Sequence, residues 1–356
     1  MKKELAFFTK NLDIGGIERA VINYVNNIDK TKYNVTLFLE KKEGIYLDNI
    51  NKDIKIIDIS ISNHKNILLR KFINAYKLLS FSIKYYHKFD FACSFATYLK
   101  SGNILAKRFA SNNAIWFHGE YWSNSYEANR FLKYTKALKY QKVVFVSNHA
   151  KDKYLEVRPN TKQKLYVLNN MINGEEIIAK SKIDLNLKKT SKIILNVGRH
   201  EEESKRLSVL INACHKLINE GYDFNLWLVG DGVDHNKYID LVKKLKLNKY
   251  VTFFGKQSNV YPYYAKCDVV VLSSKMEGNP VVYLEAKVLN KPVISTDIAD
   301  AKIELAEYGI VVPYGIDGLY NGLKKFLDNG YIIKRKFDSK KYNQNILTKL
   351  YEIIEN

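Results

Sequence analysis

Short apolar runs alternate with longer amphipathic stretches along the whole chain. In the second half, the runs occupy residues 192–198, 225–230, 251–255, 269–274, 292–296 and 310–313. In the first half, the corresponding runs are ELAFFT, YNVTLFL, IKIIDI, FDFACSF, AIWFH and KVVFVS. Continuous apolar runs of this length are typical of strands buried on both faces, and the stretches between them predict covering helices. The pattern therefore predicts a parallel sheet in each half.

One stretch, RLSVLINACHKLINEG, shows the helical spacing. Its apolar residues follow Leu207 at intervals that place them on one face of a helix, and Gly221 follows as the residue that ends it. Periodicity is lost around residues 170–190 and returns afterwards, which predicts a boundary between two domains.

The predicted fold is α/β, with two doubly wound, Rossmann-like domains that face each other across a cleft. A chain of 356 residues is long for a single core. We predict domains over residues 1–175 and 190–335, and a C-terminal helix over residues 338–356 that packs back toward the first domain.

Composition places the chain among globular proteins, since 46% of its residues are hydrophobic. Its three cysteines are far apart, which argues against a disulfide framework or a zinc site and favours a reducing compartment. No apolar run approaches the roughly 18 residues that a membrane span needs, and the N-terminal apolar run is too short for a signal peptide. We therefore expect a cytoplasmic protein.

A formal charge of +20 indicates acidic partners such as nucleic acid, phosphorylated ligands or an anionic membrane. Most of the basic residues are lysines in an Ile-, Asn- and Tyr-rich chain, so compositional bias is an alternative explanation. The excess is uneven: residues 1–180 carry a net charge of +14 and the remainder +6.

Polar residues suited to chemistry follow several predicted strands. Arg199 and Lys205 lie in GRHEEESKRL after one strand, and KMEGNPVVYLE, with Glu277, follows another. Gly15 and Gly16 open a helix after the first strand of the chain. Ligands of parallel sheets bind at the carboxyl ends of the strands, so these segments are the candidate site.

The segment EGNPVVYLE has the features of an anion-binding site. Pro280 suits the first turn of a helix, where the free N–H groups of residues 279–282 and the helix dipole favour an anion. Glu277 cannot pair with that anion and must face hydroxyls. Glu285 lies about two turns further, roughly 8 Å from the helix start, a distance suited to the ribose of a bound nucleotide diphosphate. Arg199 and Lys205 would neutralise the diphosphate as fixed cations, where other proteins use a metal.

These motifs resemble those of glycosyltransferase family 4, the group 1 retaining transferases with the GT-B fold. EGNPVVYLEAKVLNKPVISTD resembles the Glu-x7-Glu segment of that family, NVGRHEEESKRLSVLI its donor-phosphate loop, and LDIGGIERAVINYV its N-terminal glycine loop. The resemblance is strong over roughly residues 190–315 and looser in the first half. It implies that the first domain binds the acceptor and the second the nucleotide sugar.

By position, the resemblance assigns a role to each matching residue. It implies catalytic roles for Glu277, Arg199, Lys205 and His118, the last near the transferred sugar. It implies donor binding by Gly15, Gly16, Arg199, Lys205, Glu277, Gly278, Asn279, Pro280, Val281 and Glu285. Two departures stand out: Arg206 and Asn290 occupy positions where the family usually has glycine, and Glu201 to Glu203 put negative charge beside the proposed anion site.

The resemblance implies transfer of a sugar, hexosyl or N-acetylhexosaminyl, from a nucleotide diphosphate sugar, with UDP as the expected nucleotide. The expected acceptor is a saccharide or a polyprenyl-linked lipid in bacterial cell-surface polysaccharide or glycolipid synthesis. No metal or other cofactor is expected. Glu277 as a nucleophile and a front-face mechanism without a covalent intermediate are both compatible with the motif.

Three other functions compete with this interpretation. An NAD-dependent oxidoreductase would need G-x-G-x-x-G after the first strand, which NLDIGGIERA does not supply. A UDP-sugar epimerase of the same fold would act without an acceptor. A basic nucleic-acid-binding or membrane-binding protein would leave the two glutamates unexplained, and no nucleic-acid-binding motif occurs.

A basic amphipathic segment, HKNILLRKFINAYKLLSFSIKYYHK, contains no acidic residue. A second acid-free stretch covers residues 128–151. Either could be an ordinary helix whose apolar face meets the core, or a helix that lies on an anionic membrane. The second alternative predicts peripheral association with the inner face of the plasma membrane.

Overall fold

The computed structural model describes residues 1–13, 15–119, 125–187 and 189–356. The chain forms two compact units. The first comprises Met1–Met171 together with Tyr342–Asn356, and the second comprises Ile172–Lys341. Strands and helices are numbered below along the chain.

The first unit is built on a seven-stranded parallel sheet in the order β3-β2-β1-β4-β5-β6-β7. Its strands are β1 Lys3–Thr9, β2 Tyr33–Leu39, β3 Lys55–Asp58, β4 Phe91–Ser94, β5 Asn113–Phe117, β6 Lys142–Phe145 and β7 Lys164–Val167. Its helices are α1 Gly16–Asn27, α2 Ile67–Lys84, α3 Lys100–Phe109, α4 Ser125–Thr135, α5 Asn148–Val157 and the C-terminal α13 Ser339–Glu355. Short 3-10 helices cover Leu47–Asn49 and Ala137–Lys139.

The second unit is built on a six-stranded parallel sheet in the order β10-β9-β8-β11-β12-β13. Its strands are β8 Lys192–Val197, β9 Phe224–Val229, β10 Val251–Gly255, β11 Val269–Leu272, β12 Val293–Thr296 and β13 Gly309–Val312. Its helices are α6 Gly174–Ser181, α7 Leu207–Asn219, α8 His235–Lys244, α9 Tyr261–Lys266, α10 Val281–Val288, α11 Ala301–Glu304 and α12 Ile316–Asn329.

The central strands are mostly apolar because both of their faces are covered. Along β1, Leu5 and Phe7 belong to one buried cluster and Ala6 and Phe8 to another. Successive side chains of a strand point to opposite faces, so the two clusters lie on the two sides of the sheet.

The predicted α/β class with two Rossmann-like sheets is confirmed, and every run predicted as a strand forms one. β7 is an additional strand that the pattern did not predict. The predicted helix forms as α7, and Gly221 follows it with a φ of +89°, a conformation that glycine adopts without strain.

The division of the chain differs in detail from the prediction. The first unit ends at Met171 rather than at residue 175, since α6 belongs to the second unit. α13 belongs to the first unit, where Leu350 and Ile353 are buried in the cluster that contains Leu5. The buried Lys142 ammonium also donates to the backbone oxygen of Ile353 at 2.7 Å.

The three cysteines are buried and unpaired, as expected for a chain without a disulfide framework. Over the part of the chain that the structure describes, no helix is both long and apolar enough to cross a bilayer.

Candidate functional site

The strand order of the second sheet brings the predicted donor loops together. β8 lies between β9 and β11, so the loops that follow β8 and β11 leave the same edge of the sheet side by side. Two hydrogen bonds join these loops: Ser273 Oγ donates to the Lys205 backbone oxygen at 2.8 Å, and the Lys275 amide donates to the Ser204 oxygen at 2.7 Å. This edge is where ligands of open parallel sheets bind.

Lys205 and Glu277, which are far apart in sequence, form an ion pair at this edge. Ser274 Oγ donates to the same carboxylate oxygen of Glu277 at 2.7 Å. The side chains of Lys205 and Glu277 are 24% and 14% exposed. The carboxylate is therefore held in one orientation while part of the pair stays accessible to a ligand.

Arg199 lies on the same loop as Lys205, but its side chain extends toward solvent. It is 77% exposed and approaches the Glu201 carboxylate at 4.0 Å. The structure thus brings Lys205 to Glu277 and leaves Arg199 at the rim of the loop.

The segment Gly278, Asn279 and Pro280 is buried and leads into α10. Pro280 is the N-cap residue, with a φ of −64° and a ψ of 116°, and Val281 is the first helical residue. The proline therefore precedes the first turn rather than lying within it. The N-terminus of α10 still follows Glu277 directly, so a positive helix end adjoins the ion pair.

Glu285 lies one turn inside α10, about 6 Å along the axis from Val281, rather than two turns as predicted. Its side chain accepts a hydrogen bond from the Tyr264 hydroxyl at 2.7 Å, and the residue is only 3% exposed. Burial, with the charge of Glu285, raises the pKa of the Tyr264 phenol well above 10, so the phenol stays protonated and donates.

Tyr264 and Ser274 are the partners that sequence reasoning missed. Tyr264 belongs to α9, and no spacing or motif connects it to Glu285. Ser274 follows β11 and is separated from Glu277 by only two residues, so its position at the strand end was the available signal.

The acidic run beside the donor loop includes a carboxylate with a structural role. Glu202 accepts from the Tyr238 hydroxyl at 2.9 Å and from the Ser208 amide, in the first turn of α7, at 3.4 Å. Its charge is thus directed at a helix N-terminus, where it is stabilising.

Arg206, which stands where the resembled family usually has glycine, adopts the left-handed conformation with a φ of +52°. Its Nε donates to the Tyr314 hydroxyl at 2.5 Å, and its guanidinium lies 3.6 Å from Glu202. Asn290 is likewise left-handed, with a φ of +54°, and the Lys291 amide donates to the Ala286 oxygen at this helix end. Both residues therefore take the conformation for which the family usually has glycine.

His200, next to Arg199, is fully buried. Its Nδ1 lies 2.7 Å from Nδ1 of His235, and burial, together with His235, lowers its pKa to about 4. The loop after β9 packs against it so closely that a Cβ on Gly232 would lie 2.4 Å from the His200 oxygen. His200 is therefore a neutral, buried residue of the loop packing.

The candidate residues of the first unit lie at the carboxyl ends of β1 and β5. Gly15 is the N-cap of α1, and a Cβ on it would meet the flexible Glu18 carboxylate; a Cβ on Gly16 would meet open space. His118 follows β5, and its Nε2 donates to the Phe95 oxygen at 2.7 Å. Burial lowers the pKa of His118 to about 4, so its ring is neutral at pH 7.

Among the residues that the structure describes, no three His, Cys, Asp or Glu side chains come together in a metal-binding group. The charged groups that the two donor loops bring into contact at the edge of the second sheet are those of Lys205 and Glu277.

Known glycosyltransferases are similar to this chain in sequence and in fold. Residues 178–345 match the family model described as Glycosyl transferases group 1. The chain is 30% identical over 223 residues to the N-acetylgalactosamine-N,N'-diacetylbacillosaminyl-diphospho-undecaprenol 4-alpha-N-acetylgalactosaminyltransferase of Campylobacter jejuni. That match covers 60% of this chain and 59% of the relative. An uncharacterized glycosyltransferase of Haemophilus influenzae is 25% identical over 325 residues, which cover 86% of this chain and 84% of the relative.

Solved structures share the fold along nearly the whole chain. HepE of Anabaena, in complex with UDP and glucose, has a TM-score of 0.75 at 16% identity and covers 98% of this chain and 99% of its own. A glycosyltransferase of Rickettsia africae has a TM-score of 0.73 at 22% identity and covers 99% of this chain and 98% of its own. Both likenesses show the GT-B fold, with its two Rossmann-like domains. Residues 178–345, which carry the donor-loop motifs of the second unit, are thus similar to the group 1 glycosyltransferases.

Proposed function

We propose that the protein transfers a sugar from a UDP-sugar, with retention of configuration, to a saccharide carried on a polyprenyl lipid. The observation that carries the proposal is the Lys205–Glu277 pair beside the N-terminus of α10. A fold neighbour that binds UDP supports the nucleotide. The Campylobacter relative, whose name specifies α-linked transfer to a diphospho-undecaprenol-linked saccharide, supports the acceptor and the stereochemistry.

In the proposed reaction, the bond between the sugar C1 and the β-phosphate oxygen breaks, and UDP leaves with the electron pair. The acceptor hydroxyl oxygen forms the new bond to C1, and its proton passes to the departing phosphate. Lys205, Arg199 and the α10 N-terminus would stabilise the charge that grows on the diphosphate. These fixed positive charges would take the role that a metal has in other transferases.

Glu277 suits a binding role in this scheme. The Lys205 ammonium and the Ser274 hydroxyl both contact its carboxylate, and such contacts stabilise the anion and reduce its nucleophilicity. We therefore propose that Glu277 accepts hydroxyl hydrogen bonds from the sugar. This role fits a front-face mechanism better than covalent attack. Glu285, held by Tyr264, would bind the ribose.

The test uses purified protein with UDP-glucose, UDP-galactose, UDP-N-acetylglucosamine and UDP-N-acetylgalactosamine. Thermal stabilisation selects the donor, because a ligand of the native state raises the melting temperature. UDP release that requires a lipid-linked saccharide, with an α-anomeric proton in the NMR spectrum of the product, is the expected result. Interconversion of the UDP-sugars without an acceptor would establish an epimerase instead.

The proposal includes attachment to an anionic membrane through α2. Five large apolar side chains of this helix fall within about 80° of its circumference, at about 100° per residue. They are 56–77% exposed and are called the α2 stripe: Leu68, Phe72, Tyr76, Leu79 and Ile83. Leu78, Phe81 and Tyr85 pack against the core from another side of the segment, so the stripe is not the face that the fold uses. Arg70, Lys77 and Lys84 lie on the flank between the two faces.

Co-sedimentation with anionic and neutral vesicles, at low and high salt, tests this attachment. Binding to anionic vesicles that weakens with salt is expected, since salt screens charge within about 10 Å at 0.1 M. Replacing Phe72 and Leu79 by serine should lower binding at least tenfold, because each buried apolar side chain contributes about 1.5–3 kcal/mol. Serine at Val233 and Ile332, which are each 88% exposed in the second unit, is the matched control. Equal recovery in the supernatant under all four conditions would refute the attachment.

A further inference from the structure

A basic surface pocket of about 480 Å³ lies in the first unit, and no donor-loop residue lines it. Lys107 and Arg108 line it from the last turn of α3. Lys139 lines it from the 3-10 helix Ala137–Lys139, and Lys136 is the residue just before that helix. These four residues are called the cation pocket. It forms no part of the glycosyl-transfer site described above.

The charges of the cation pocket are not compensated. Among the residues that the structure describes, no carboxylate forms an ion pair with any of the four side chains; Lys107 lies over the Tyr140 ring at 5.5 Å. Residues 59–151, which include the pocket, contain 15 basic and only 3 acidic residues. The shortage of acidic partners thus extends across the surrounding sequence.

Local structure explains the positions of only two of the four cationic residues. Cations at the C-terminal end of α3 are favoured by the helix dipole, which accounts for Lys107 and Arg108. Lys136, in contrast, adopts a left-handed conformation with a φ of +56°, which disfavours a residue with a long side chain relative to glycine or asparagine. The fold therefore gives no reason for a lysine at this position.

The crowding of the pocket also affects protonation. Burial, followed by repulsion from Lys136, Lys139 and Arg108, lowers the pKa of Lys107 to about 8. A bound anion would reverse this shift, so binding at pH 8 should be accompanied by proton uptake.

The cation pocket is lined in part by residues that follow the C-terminal end of α2. Tyr86, two residues beyond the end of α2, lines the pocket and exposes 59% of its surface, and His87 beside it also lines the pocket. A cluster of cations thus lies near the C-terminal end of the helix that carries the exposed apolar side chains. Such an arrangement suits an anionic lipid, whose phosphate lies at the edge of the apolar layer.

We propose that the cation pocket binds the phosphate headgroup of an anionic membrane lipid while the α2 stripe enters the bilayer. This assignment rests on the membrane attachment proposed above and gives it a defined lipid site. A diffuse attraction between a basic surface and a membrane would need no pocket, and the experiment separates the two.

The test variant is Lys136→Asn with Lys139→Gln, since asparagine accepts the left-handed conformation at position 136. The control, Lys52→Gln with Lys55→Gln, removes the same charge from exposed lysines of the same unit outside the pocket. Binding is measured by co-sedimentation with phosphatidylcholine vesicles with and without phosphatidic acid. Calorimetric titration with inorganic phosphate, at pH 8 in two buffers of different ionisation enthalpy, measures the proton uptake.

We expect the pocket variant to bind phosphatidic acid vesicles about 25-fold more weakly, from about fivefold per lysine, and to lose phosphate-linked proton uptake. The control variant should lose much less of its binding to phosphatidic acid vesicles. Equal losses in both variants would show diffuse attraction and overturn the site. Phosphate binding without vesicle binding would identify a soluble ligand and overturn the assignment of the pocket to a lipid headgroup. Acceptor-dependent UDP release and an unchanged melting temperature, measured on the same variants, distinguish these outcomes from a failure of the proposed transfer or of folding.

Discussion

The hydrogen bond between Tyr264 and Glu285 permits a quantitative test of the candidate donor site. The two groups are 0% and 3% exposed, and the hydroxyl donates to the carboxylate at 2.7 Å. Tyr264→Phe removes only the hydroxyl and leaves the ring packing in place. A buried hydrogen bond to a charged group contributes about 1.5–3 kcal/mol, so this variant should lose about 2 kcal/mol of unfolding free energy.

The same bond should be weaker when its acceptor is neutral. In a Glu285→Gln background, Tyr264→Phe should cost only about 1 kcal/mol, the value of a neutral hydrogen bond. The double-mutant cycle therefore predicts a coupling energy of about 1 kcal/mol. Urea unfolding supplies the free energies, and hydrogen exchange of the α9 and α10 amides assigns the loss to the second unit.

Titration with UDP completes the test. If Glu285 binds the ribose, Glu285→Gln should weaken UDP binding by about 1–3 kcal/mol. Tyr264→Phe should have a smaller effect, because the carboxylate remains but is less firmly oriented. Zero coupling in the cycle would refute the role of the hydrogen bond, and native UDP affinity in Glu285→Gln would refute the ribose assignment. Glu277→Gln, which should lower turnover more than UDP affinity, serves as the comparison.

Three further predictions concern the donor loop. Arg199→Ala and Lys205→Ala should each lower turnover by about 100-fold, with the larger loss at Lys205 because Arg199 is 77% exposed; near-native rates in folded variants of both would contradict the proposed stabilisation of UDP. The Arg206→Gly variant should have an unfolding free energy about 1 kcal/mol higher than that of Arg206→Ala, since the φ of +52° strains a residue with a Cβ. Equal urea midpoints, or a lower midpoint for the glycine variant, would argue against this. The pKa of His200, lowered to about 4, means that the native state resists protonation. The contribution of neutral His200 to the unfolding free energy is therefore fully present above pH 6.5 and is lost as the pH falls toward 4. This loss is at most about 3 kcal/mol. A His200→Asn variant should lose less stability over this range, and an unchanged pH dependence would show that His200 is not responsible.

The apolar pattern by itself determined the class of the fold. β2 occupies the predicted run YNVTLFL without any shift, because a strand covered on both faces must be apolar at consecutive positions. β7 was missed because it is short, lies at the edge of its sheet and is only partly buried, so its sequence carries a weaker apolar signal. The sequence also indicated one turn conformation: asparagine tolerates the left-handed conformation, and Asn290 adopts it directly after a helix.

The sequence also identified the loops of the candidate site, since motifs at strand ends are local. It did not determine which of their side chains meet. Lys205 contacts Glu277 because β8 and β11 are neighbours in the sheet, although β9 and β10 separate them along the chain. Glu285 contacts Tyr264 because α9 and α10 place these two buried side chains within hydrogen-bonding distance. Residue types and local spacing limit what a loop can bind, whereas strand order and helix packing decide which charges pair, because those contacts join residues that no local pattern connects.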